Sequence, residues 1–141
     1  MFYGQYQPAR HFVGRLNEGD LLLESLTQFV TEEGIAVGEI KVIGAVHNAV
    51  FGFYDIRTKQ YQVNVIDDPM EIAACVGNIS RKDGAPLLHL HVTLSREDGH
   101  AIGGHLMEGT RVLAAEFVIE ELSGEPLERH HDEATGLFLW R

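Results

Sequence analysis

The chain has 141 residues with one cysteine and eight histidines, and 11 basic side chains against 21 acidic ones set a formal net charge of −10 with the imidazoles neutral. That length makes a single domain, 1–141, which buries roughly 70% of the surface its unfolded form exposes and needs neither disulfide nor metal merely to hold together. The charge weighs against direct nucleic-acid binding, because affinity there comes mainly from clustered Lys and Arg neutralising phosphates, and the longest basic run is the pair Arg81-Lys82. No apolar run approaches the roughly 20 residues that span a bilayer, and Met1-Phe2-Tyr3-Gly4-Gln5 lacks the charged and apolar regions of a secretion signal. With Cys75 alone, no intrachain disulfide can form, and a cytoplasmic location is expected.

In chain order, His11–Leu16 alternates as a first strand, and Asn17-Glu18-Gly19-Asp20 supplies polar groups suited to capping a helix. The helix is predicted from about Asp20 to Glu33, with Leu22, Leu26, Phe29 and Val30 on one face and Gly34 as the left-handed residue that ends it. Strands follow at Glu39–Gly44, Ala45–Tyr54 and Gln60–Ile66, the last two joined as a hairpin by the polar turn Asp55–Lys59. Glu71–Ile79 reads as a strand buried on both sides, and Arg81–Pro86 as a turn. In Leu87–Leu94 the two histidines face one way and Leu88, Leu90 and Val92 the other. A turn at Arg96–Gly99 leads to the glycine-rich piece Ile102–Leu106, and a last long strand runs from Arg111 to Leu122. The expected fold is α+β: one compact domain whose antiparallel-dominated mixed sheet is packed by one main helix.

The chemistry centres on His89-Leu90-His91 and on His105 behind a double glycine. Two imidazoles at i and i+2 on a strand project from one face, and a third from a following loop can complete a facial set around Zn²⁺ with one position open. Gly103 and Gly104 permit the close backbone approach this requires. A lone strand histidine is more often a hydrogen-bonded structural residue, so it is the third imidazole that lifts the pattern above that reading. Glu71, a carboxylate opening an otherwise apolar strand, is a candidate general base or hydrogen-bond acceptor beside a metal, against a plain solvated edge residue. His100 and His130-His131 read as surface residues, His47 is ambiguous, and Cys75 reads as a buried inert thiol.

The run Leu87–Leu94, the Asp98-Gly99 turn, Gly103-Gly104-His105-Leu106, Gly109, Val112 and Glu116–Ile119 together resemble the plant-and-prokaryote conserved (PPC) domain. Gly44-Ala45-Val46, Tyr54-Asp55, Glu71-Ile72 and Gly77-Asn78-Ile79 extend the likeness from about Arg10 to Leu139. It implies a homotrimer, and zinc bound at His89, His91 and His105; more distantly the chain is similar to acetolactate decarboxylase, whose zinc is held by a His-x-His pair and a later His. In plants the domain is joined to AT-hooks that grip the minor groove and itself mediates self-association and protein contacts. Prokaryotic relatives are called DNA-binding by that association. No Arg-Gly-Arg-Pro arm exists here, and the plant Gly-Arg-Phe-Glu-Ile-Leu segment becomes Asp68-Pro69-Met70-Glu71-Ile72-Ala73. The expected function is thus a zinc-binding trimeric regulatory module whose DNA association runs through protein partners. Its competitors are a zinc-dependent lyase or hydrolase acting on a small oxygenated acid and a purely structural zinc.

Overall fold

A computed structural model describes residues 1–141. The strands are β1 (Gln7–Leu16), β2 (Gly38–Asp55), β3 (Gln60–Ile66), β4 (Met70–Lys82), β5 (Ala85–Ser95), β6 (Ala101–Leu106), β7 (Arg111–Ser123), β8 (Arg129–His131) and β9 (Phe138–Trp140), with one helix, α1 (Leu22–Glu32), between β1 and β2. The seven-stranded sheet runs β1-β7-β2-β4-β5-β6, with β3 beside β2. All its ladders are antiparallel, so the sheet is not mixed; the parallel element is an isolated bridge, Arg81 to Glu128.

The two strands expected on either side of Gly44 are one 18-residue strand. Register shifts between Val42 and Gly44 and again beyond Ala45 bend it, as bulges do. Its first half therefore pairs with β7 and β4, and its second half with β3 and β6. Because β6 also pairs with β5, the pairings β2-β4-β5-β6-β2 form a closed circuit.

Leu22, Leu26 and Val30 of α1 are fully buried in the same core as Ile40, Ile79, Leu90, Leu94, Leu106 and Ile119. The helix is not capped by the polar tetrad before it. Asp20 Oδ2 instead accepts the Asn17 backbone N–H at 2.8 Å, closing the turn backwards, and the Leu22 N–H is satisfied by the Thr110 carbonyl. The tertiary fold thus supplies the acceptor that a cap side chain would otherwise provide. Gly34 does end the helix, at φ +68°.

β4 is not buried on both sides: Met70, Ile72 and Cys75 point into the core while Val76 is 49% exposed. An antiparallel sheet with one helix covers only one face, and the outer face stays open. His130 and His131, which read as surface residues, lie in a second sheet, β8-β9. No helix is long and apolar enough to cross a membrane.

Candidate metal centre

Along β5, Leu88, Leu90, Val92 and Leu94 are buried, which turns His89 and His91 to the opposite face. His105 lies on β6, a strand where the sequence suggests a loop, paired with His91 on one side and Gly52 on the other. The double glycine makes this possible. A Cβ on Gly103 would collide with the Val92 carbonyl of β5, and one on Gly104 with the Gly52 carbonyl of β2, so only glycines let β6 sit this close to both neighbours.

The ring centroids are 5.1 Å apart for His89–His91, 5.1 Å for His89–His105 and 5.7 Å for His91–His105. One ligand nitrogen from each lies within 4.8 Å of the others. Bonds of about 2.0–2.1 Å to a shared tetrahedral ion place such nitrogens roughly 3.3 Å apart, a closure small enough for ring rotation to supply.

Burial, reinforced by the His105, Arg129 and His91 charges, pushes His89 down to about 4. Burial, with His91 and Arg129, lowers His105 as well. Both rings are therefore neutral at pH 7, the form that binds a metal. His105 Nδ1 is buried without a hydrogen-bond partner, a penalty that an apo metal site carries and a bound cation relieves. On donor chemistry, spacing and protonation the triad fits Zn²⁺.

Two further residues reach the triad from outside its own strands. Tyr61 of β3 stacks against His105 at 5.0 Å between centroids. Arg129 of β8 donates to Ser80 Oγ at 2.7 Å, to Asn78 Oδ1 at 3.0 Å and to the Phe138 carbonyl at 3.0 Å. Asn78 is the register partner of His89, so Arg129 lies beside the imidazoles. The β8-β9 hairpin is fastened there by Tyr54 donating to the Thr135 carbonyl and Lys59 donating to the Glu133 carbonyl. The sequence signal for this hairpin is weak: the short apolar run Leu137-Phe138-Leu139-Trp140 follows a polar stretch.

Glu71 is not with the triad. It pairs with Ser95, four residues along β5 from His91, or about 13 Å of strand, and lines a separate groove with Ala45, Arg96 and Leu113. His100 is exposed on Asp98, and His47 meets Glu18 at 3.3 Å. His130 and His131 are exposed, although in a strand. Cys75 is buried, its thiol pushed up to about 12 by that burial, and is inert at neutral pH.

The model of the Plants and Prokaryotes Conserved (PCC) domain matches residues 3–123. The chain belongs to this family. Among solved structures this PPC domain is similar to the metal-containing protein of Archaeoglobus fulgidus, with 40% identity over 100% of this chain and 99% of that one and a TM-score of 0.95. A plant- and prokaryote-conserved protein of Pyrococcus horikoshii is 37% identical, covering 100% and 97%, with a TM-score of 0.94. A Bacteroides thetaiotaomicron protein named "putative DNA binding protein" is 30% identical over 98% of each chain, at 0.87. Acetolactate decarboxylase of Bacillus subtilis shares the fold alone: 12% identity, 88% of this chain on 56% of that one, TM-score 0.58. Comparison with curated proteins gives no match. The family model stops six residues before Arg129, so the cation beside the histidines comes from outside the matched span.

Proposed function

We propose that this PPC protein is a cytoplasmic, zinc-binding homotrimer that serves as a binding and regulatory module and associates with DNA only through protein partners. The observation that carries the metal is the triad: three imidazole side chains from two adjacent strands with ligand nitrogens within 4.8 Å of one another. A metal-containing relative of near-identical fold supports it.

Support for self-association comes from β3, which is solvent-exposed along almost its whole length although it carries Tyr61, Val63 and Val65, exposed by 36%, 56% and 67%. Across the outer face of the main sheet, Val13, Val118 and Val76 stand exposed on β1, β7 and β4. Uncovered apolar surface of this kind marks an interaction site. The acidic balance of the 141 residues supports the indirect DNA role.

A second reading, a zinc-dependent lyase or hydrolase acting on a small oxygenated acid, is favoured by Arg129, a cation placed where an acidic substrate would meet it. Zinc held by three imidazoles supplies Lewis acidity at its remaining position. In either reading His89, His91 and His105 hold the ion, with Tyr61 stacked on His105 and Arg129 of β8 beside the imidazoles.

Zinc titration with metal analysis after dialysis tests the core of the proposal. One Zn²⁺ per chain is expected, with His91→Ala losing it while keeping its fold, since His91 is exposed. Retention of zinc by that variant would refute the site. Sedimentation at micromolar concentration should give a trimer, and a monomer would refute the assembly. Screening 2-oxo and 2-hydroxy acids separates the module from the enzyme: turnover that depends on zinc and on His91 establishes the second reading.

A further inference from the structure

We infer that Arg129 makes the metal centre a binding site for a small monocarboxylate. This rests on the zinc-binding reading and names the ligand class of the same site.

Arg129 is half-buried, and all three of its acceptors are neutral: a hydroxyl, an amide oxygen and a carbonyl. Three of the eight arginines meet carboxylates, Arg10 with Glu33 and Glu121, Arg57 with Asp55, Arg141 with Asp132, whereas the half-buried Arg129 beside the imidazoles has no carboxylate within 4 Å. Three donors are used of the five a guanidinium carries, and two remain. A half-buried cation without a counter-charge carries part of the desolvation cost of a buried one. The cost grows when a dication binds three neutral imidazoles beside it, because that places three positive charges together with no protein anion among them. The triad contains no acid, and Glu71 is about 13 Å away along the sheet. The balancing anion therefore comes from solution.

Two features select an organic monoanion. The chain's net charge of −10 repels anions in proportion to their own charge, which penalises phosphate more than a carboxylate. The walls are aromatic: Tyr61 beside His105, and Trp140 under the Arg129 guanidinium at 5.1 Å. These suit the carbon skeleton of an organic acid. The Tyr61 hydroxyl has no protein partner, unlike that of Tyr54, and is free to hydrogen-bond to the ligand.

The test uses the full chain loaded with Co²⁺ in place of zinc, whose visible bands report ligand exchange at the metal without any turnover. Pyruvate is the probe, with inorganic phosphate and chloride as the other anions. Saturable perturbation of the bands by pyruvate at millimolar or lower concentration is expected, weakened about tenfold or more in Arg129→Gln while the Co²⁺ affinity of that variant holds. Arg129→Lys, which keeps the charge, should lie between the two. Failure to bind Co²⁺ at all overturns the zinc reading and this inference with it. Co²⁺ bound but insensitive to pyruvate in the wild type, or pyruvate binding unchanged in Arg129→Gln, overturns this inference alone. Phosphate binding more tightly than pyruvate overturns the carboxylate assignment.

Discussion

Among single residues, the candidate metal centre includes His89 and His105, whose burial favours the neutral, metal-binding form. His89 is ordinary in sequence, yet burial first, and then its neighbours His105, Arg129 and His91, bring it to about 4 against a reference of 6.5. Its folded-state pKa is lowered, so between pH 6.5 and about 4 the unfolded chain takes up a proton that the folded chain refuses, and stability falls as pH falls through that window. In chelator, the urea midpoint of the wild type should therefore drop from about pH 7 to about pH 4.5. The drop should be smaller in His89→Gln, which has no proton to bind; equal drops would mean that His89 does not sense its surroundings. The His-x-His spacing and the third histidine are readable from residue type and strand parity alone. Arg129 is not, because nothing in Glu128-Arg129-His130-His131 marks one cation as bound for a site whose strands lie far back along the chain.

For whole elements, local pattern and packing agree in α1 and β5 and part company elsewhere. The stripe Leu22, Leu26, Val30 locates the helix and its buried face, and Leu26→Ala should cost roughly 2–5 kcal/mol, read as a lower urea midpoint at unchanged slope; a loss below about 0.5 kcal/mol would mean the helix does not sit in the core. The same stripe cannot place the N-terminus, since the acceptor for the Leu22 N–H is the carbonyl of the remote Thr110. The β6 segment reads as a loop because two glycines weaken any strand signal; they are there because β6 is pressed between two backbones. The run of small residues in β4 suggests burial on both sides, yet alternate positions face outward.

Across the molecule, the acidic charge keeps its meaning: in a band-shift titration at low salt, the isolated protein should show no sequence-selective duplex complex at submicromolar concentration, and such a complex would refute the indirect role. One bound dication leaves the balance strongly negative and concentrates positive charge where Arg129 and the histidines meet. The single domain, the one helix, the strand that carries His89 and His91, the family and the three imidazoles are all legible in the chain, because each follows from length, from period-two or helical spacing, or from a contiguous motif. Folding in three dimensions adds that β2 is one bent strand closing a circuit through β6, that Glu71 lies apart from the triad, and that the C-terminal hairpin brings Arg129 to it. Those outcomes depend on strand register and on contacts between distant segments, and no local pattern encodes where two remote backbones will meet.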